Sequence, residues 1–301
     1  MSFRTASTSS QRQALLDLQR TQERLALNQT RVTSHKRITR PGDDPTGSAL
    51  ILDFGNSIEA NAQFIKQADS ALSFLKSSED AVTGAVDLSM RLQELAVNGS
   101  SASVPELDGI RAILVSLANT QEQGKFLFAG TQTQGSAAHP LPFEDATPPS
   151  GPVNYWGNGS TISLDVNATT SVTTNIPGNT AFFGPGGQGS ATDIFQVVTD
   201  LRDGYTTNNA ALIQTAKANL QTAFANLNQV LADLGGRQAG LLDIKDTLSA
   251  HNLTLETLQV NQQDTDYAKT AVDLANDQTL QSVTLSTMAK SNKTNLFDYL
   301  T

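Results

Sequence analysis

Residues 248–288 read LSAHNLTLETLQVNQQDTDYAKTAVDLANDQTLQSVTLSTM, and residues 11–32 read QRQALLDLQRTQERLALNQTRV. In the second stretch Leu15, Leu18, Leu25 and Val32 fit a seven-residue a/d frame, with Gln22 and Gln29 in the remaining slots. That is a helix with a thin coiled-coil seam. In the first stretch Leu248, Leu255 and Gln262 continue a series of seven that begins at Leu241, and Ala271, Leu274, Gln278, Gln281, Leu285 and Met288 form a later a/d series. The whole run therefore reads as one last helix. Two long amphipathic segments at opposite ends of a chain are expected to pair. Seam glutamines weaken such a pair and help set its register. The candidate assembly residues are Leu15, Leu18, Leu25, Val32, Leu274, Leu285, Met288, Leu296 and Phe297.

Working inward, Arg40-Pro41-Gly42-Asp43-Asp44-Pro45 cannot continue the first helix, because proline disfavours helical backbone at the residue before it. Asp44 then suits an N-cap, with Pro45 in the first helical position. A helix is expected from Pro45 to Val97, ending at Asn98-Gly99, and a third from Pro105 to Gln123 with Leu107, Ile110, Leu114 and Leu117 on one face. Phe126-Leu127-Phe128-Ala129-Gly130 reads as a short apolar strand. Helix resumes near Asp193, pauses near Gly204, runs from Asn208 to Leu234, and meets a hinge or kink at Gly235-Gly236.

Residues 131–190 differ from the rest. They hold no Lys or Arg, seven of the ten prolines and nine of the 21 glycines. Alternating runs such as Thr161–Val166 there read as half-buried strands. The expected fold is mainly α with a β-rich insertion: an antiparallel hairpin rod of long helices, with paired N- and C-terminal helices and a small outer β domain. Its parts are 1–45 (assembly helix and turn), 46–130 (first half of the rod), 131–190 (outer domain), 191–247 (second half) and 248–301 (C-terminal assembly helix).

Charge and composition exclude several function classes. The net charge of −9 argues against nucleic acid as main partner. Residues 1–40 alone carry +6, so the remainder carries −15, and a basic first helix suits an acidic surface. The chain has no cysteine, which removes disulfides, thiolate metal sites and cysteine catalysis. No apolar run is long enough to span a membrane, and Met1–Ser10 lacks the apolar core of a cleaved signal peptide. His35, His139 and His251 have no second ligand one helical turn away. Gly184-Pro185-Gly186-Gly187-Gln188-Gly189 matches G-x-G-x-x-G only formally, without a βαβ unit, and reads as a connector. Asp264 and Asp266, in the helical reading, point apart. No catalytic, cofactor or metal site is expected.

Five stretches resemble the flagellin superfamily, in its order along the chain. Thr33–Gly47, with Arg37, Pro41, Asp43, Asp44 and Pro45, is similar to the superfamily's S-G-K-R-I-x-x-P-x-D-D-P-x-G turn. His35 stands where that turn has Gly. Gly124–Thr133 resembles the G-R-Y-I-F-A-G-x-x-T entry to the outer domain of members at the hook–filament junction. Leu234–Arg237, Asp264–Ala268 and Leu296–Leu300 resemble L-G-A-R, D-V-D-Y-A and L-F-x-Y-L. The resemblance implies an extracellular structural protein of the bacterial flagellum, exported without a cleaved signal. It implies a ring of about eleven subunits. The implied partners are hook-associated protein 1, flagellin and an export chaperone, with no cofactor. Two other readings are a short flagellin that forms the filament itself and an enzyme domain inserted at 131–190.

Overall fold

The computed structural model describes residues 2–166 and 170–297, with side chains from residue 12 to residue 290 of that range. It is mainly α with small antiparallel two-stranded sheets. The chain divides into two compact units, residues 1–59 with 251–301, and residues 60–250.

The first unit holds α1 (Ser2–Ser34), the start of α2 (Pro45–Asn98), the end of α5 (Ala210–Gln263) and α6 (Tyr267–Phe297). α2 begins where its cap residue dictates: Asp44 Oδ1 accepts from Gly47 N at 2.9 Å, and Pro45 follows. The last helix is not continuous. It breaks at Asp264–Asp266, so the reading of these acids within a helix is corrected. Asp266 Oδ1 accepts from Lys269 N at 3.0 Å and starts α6 anew.

The second unit holds the rest of α2 and α5, α3 (Val104–Ala118), α4 (Ile194–Thr206) and the strands. At the end of α2, Tyr205 Oη donates to Leu95 O (2.7 Å), which also accepts from Gly99 N at 2.7 Å, and to Ala96 O (3.2 Å). A Cβ on Gly99 would lie 3.0 Å from the Tyr205 ring and closer still to Leu95 O, so only glycine fits there. α3 stops at Ala118, short of the expected Gln123. Asn119 explains it: its carboxamide bonds both the N–H and the C=O of Phe143, at 2.9 and 2.8 Å, as a strand would. A tight hairpin follows, β1 (Gln121–Glu122) with β2 (Lys125–Phe126), and the left-handed Gln123 and Gly124 form its turn.

Of the expected strand 126–130 only Phe126 is extended, although Phe126 to Ala129 are all buried. β3 (Phe143–Asp145) pairs with β4 (Val153–Tyr155), and β5 (Ser163–Asp165) with β6 (Ser171–Thr173). Phe143, Tyr155, Phe182, Phe183 and Phe195 stack edge-on or tilted at 4.8–6.2 Å. They join Leu107, Leu114, Leu201 and Leu227 in one core, so the β segment and the helices of this unit share their burial.

The expected pause near Gly204 falls just after it, at residues 207–209 between α4 and α5, whereas α5 runs unbroken through Gly235-Gly236. Gly204 lies inside α4, where a Cβ would meet Ile213 Cγ1 at 2.7 Å; it permits close packing of α4 on α5. Gly235-Gly236 lies inside α5, on a face open to solvent. Buried Leu234 and Leu241 on the opposite side hold the helix through the pair.

Arg111 was missed in the sequence. It is only 2% exposed. Its guanidinium donates to both oxygens of Asp145, to Gly151 O and to Thr199 Oγ1, tying α3 to β3, the following loop and α4. The available signal was its place four residues after Leu107 on the apolar stripe.

Candidate assembly site

The first unit has two linked features, a clasp and a seam. The clasp joins the turn after α1 to the break before α6. Arg37 N and Ile38 N donate to Gln263 O at 2.7 and 3.4 Å, and Thr265 N donates to His35 O at 3.0 Å. Lys36 and Asp264 face each other as an isolated antiparallel bridge. The Arg37 guanidinium donates to Asp44 Oδ2 at 3.2 Å and to Gln262 O at 3.1 Å, so one side chain holds the start of α2 and the end of α5.

Asp43 closes the turn from within. Its Oδ2 accepts from Thr39 N and Arg40 N at 3.0 Å each, and from Thr39 Oγ1 at 3.1 Å. Asp43 N returns to Arg40 O, with Pro41 at the second turn position. These backbone donors hold the Asp43 carboxyl below its ordinary value, and the Gly47 amide with Arg37 does the same for Asp44. Gly47 is required. A Cβ there would lie 2.6 Å from Asp44 Oδ2 and 2.7 Å from Ile38 Cδ1. His35 takes the left-handed conformation that glycine takes freely (φ 60°), and its ring stacks on Tyr267 at 5.6 Å.

The seam lies between α1 and α6, which run antiparallel away from the clasp. Its central positions, all buried or half-buried, are Ala14, Leu18, Thr21, Leu25, Asn28 and Val32 on α1, and Thr270, Leu274, Asp277, Gln281, Thr284 and Met288 on α6, with Leu27, Arg31 and Ala271 half-buried beside them. Both sets are spaced alternately by four and three. Leu18, Leu25, Val32, Leu274 and Met288 thus lie in it. Leu15 and Leu285 do not: they are 52% and 48% exposed. The slots given to Leu15, Gln22 and Gln29 belong to Ala14, Thr21 and Asn28, one residue earlier, and α6 shifts the same way. The reason is polar pairing. Asn28 Nδ2 donates to Asp277 Oδ2 at 2.9 Å, and Arg24 pairs with Asp277 Oδ1 at 3.2 Å. The side chains of Leu296 and Phe297 lie outside the described residues.

The pair is therefore mixed inside and carries apolar residues on its outer side. Thr21, Thr270 and Asp277 are its most buried seam residues, whereas Leu15, Leu16, Val272, Leu280, Val283 and Leu285 are exposed. An open groove of about 860 Å³ runs between the helices, lined by Leu27, Leu280, Val283 and Met288 on its apolar side and by Arg20 and Arg24 on its charged side. A smaller cleft of about 380 Å³, in the second unit, lies among Phe74, Glu122, Lys125 and Leu164. Among the described residues, no three His, Asp or Glu side chains converge as metal ligands, and no helix is long and apolar enough to cross a membrane.

Residues 6–133 match the family described as the bacterial flagellin N-terminal helical region. The chain is similar to flagellar hook-associated protein 3 of Salmonella typhimurium, at 26% identity over 147 residues. The match covers 46% of this chain and 43% of that protein, so it spans less than half of the relative's length. Solved structures share the fold. A putative flagellar hook-associated protein from Vibrio parahaemolyticus matches with TM-score 0.65 at 19% identity, covering 74% of this chain and all of that one. FlgL of Xanthomonas campestris gives 0.57 at 18%, over 69% of this chain and 99% of that one. The flagellar junction protein FlgL of Legionella pneumophila gives 0.52 at 16%, over 73% and 100%.

Proposed function

We propose that the chain is an extracellular structural subunit of the bacterial flagellum, placed at the junction between hook and filament. It has no catalytic role and no cofactor. Export delivers it with its terminal segments 1–45 and 248–301 held by a chaperone, and assembly then seats it between hook-associated protein 1 and flagellin in a ring of about eleven copies. Segment 131–190 belongs to the outward-facing part.

The uncovered apolar surface of the terminal pair carries this reading. A helix pair whose most buried seam residues are Thr21, Thr270 and Asp277, and which leaves Leu15, Leu16, Val272, Leu280, Val283 and Leu285 exposed, is incomplete alone. Neighbouring subunits supply the missing burial. The similarity to hook-associated protein 3 supports the place at the junction, and the match to the flagellin N-terminal region keeps a filament-forming flagellin as the second reading.

The test is reconstitution. Hooks capped with hook-associated protein 1 are mixed with flagellin, with and without the purified chain, and imaged by electron microscopy. Filaments should grow on hooks only when the chain is present. Equal growth without it would overturn the junction role, and long filaments from the chain alone would favour the flagellin reading.

A further inference from the structure

The apolar residues of the terminal seam do not say which helix should pair with which. α1 presents Leu18, Leu25 and Val32, and α6 presents Leu274, Gln281 and Met288, each at seven-residue spacing. Either helix could meet a second copy of itself with similar apolar contacts. What distinguishes the observed pair is Asp277. Among the described residues it is the one buried charged side chain of the first unit, 8% exposed. Both of its oxygens are used, one by Arg24 and one by Asn28, which stand a single turn apart on α1.

We propose that Asp277 is the partner-selecting residue of the terminal helices: it directs α6 to α1 and disfavours α6 against α6. In an α6·α6 pair the other seam residues are Thr270, Leu274, Gln281, Thr284 and Met288, none of them cationic, so each Asp277 is buried without a counterion or faces its twin. An α1·α1 pair is less restricted, because Asp17 and Glu23 border the same groove as Arg24. Only the mixed pair gives the buried Asp277 its cation. This is selection by penalising the alternative, at the expense of a weaker seam. It matters most when many copies are crowded with their terminal segments open, and it holds whether or not the chain joins a flagellum.

The chain has no cysteine, so a single introduced thiol reports pairing without background. Gln281→Cys places it in the α6 seam. The full-length protein carrying Q281C should stay monomeric under mild oxidation. Adding Asp277→Leu should raise the disulfide dimer at least about fivefold, with Asp277→Asn in between. Adding Arg24→Met instead should lower hydrogen-exchange protection over residues 18–32 without raising the dimer, because Asp277 still opposes α6·α6 contact. A residue that merely stabilised the pair would make D277L and R24M dimerise alike, and that outcome overturns the selection. Equal dimer in Q281C with and without D277L overturns it as well. Should D277L lose helicity, Asp277→Asn serves as the deciding variant.

Discussion

Replacing Leu280 and Val283 together by alanine tests whether the outward apolar face of α6 is an interface between subunits. The two residues are 44% and 54% exposed. Fully burying such a side chain stabilises by about 1.5–3 kcal/mol, so the half still in water represents about 1 kcal/mol each. Alanine keeps one carbon of each, leaving a loss of about 1.5–2 kcal/mol per subunit contact, a ten- to thirtyfold weaker association. The folded monomer should hardly notice, because exposed substitutions change stability by about 0.5 kcal/mol or less. Two readouts separate the effects: sedimentation of assembled rings or of hook-bound protein against concentration, and thermal melting of the monomer by circular dichroism. The expected result is an assembly midpoint shifted ten- to thirtyfold with an unchanged melt. An unchanged midpoint refutes the interface. A melt that falls as far as the assembly does would mean that these side chains support the monomer.

Arg111→Met should cost the second unit about 3–5 kcal/mol, because Asp145 is left partly buried without its cation; chemical denaturation checks this, and R111M with Asp145→Leu should recover part of the loss. Burial pushes the Asp193 carboxyl up to about 6, against the amides of Gly189, Gln196 and Phe195 and the charge of Arg111. A folded value above the unfolded 3.8 means that stability falls as pH rises through about 4 to 6, so relative to Asp193→Asn the native protein should lose about 3 kcal/mol from pH 4 to pH 7; parallel melting curves would refute it. His35→Val should destabilise the clasp by about 1–2 kcal/mol through its left-handed backbone, whereas His35→Gly should be near neutral, strain relief offsetting the lost Tyr267 stack; hydrogen exchange at Thr265 reads both.

Most of the helical framework was legible because it rests on local signals. Asp44 with Pro45 announces the start of α2, and Asn98-Gly99 announces its end. What sequence spacing misplaced depends on tertiary contacts. Gly235-Gly236 looks like a breaker, yet packing at Leu234 and Leu241 overrides the propensity. The seam was placed one residue late at half its positions because leucine outweighs asparagine and aspartate in a search for apolar periodicity. The break at Asp264–Asp266 hides in a pattern that remains helical on both sides, although Asp266 before Tyr267-Ala268-Lys269 is a cap signal in its own right. Arg111 and Asn119 act through partners tens of residues away, which no local pattern can show.

The clasp also has a consequence for the order of folding. It joins residues 36 and 264, a closure whose entropy cost from a disordered chain is about 5 kcal/mol. A few backbone hydrogen bonds and one arginine cannot offset that cost by themselves. Folding of residues 60–250 removes most of the intervening freedom first, so the clasp forms late and the α1–α6 pair later still. A chain emerging one end first would thus mature from its middle outward, and its two ends would be the last parts to take shape.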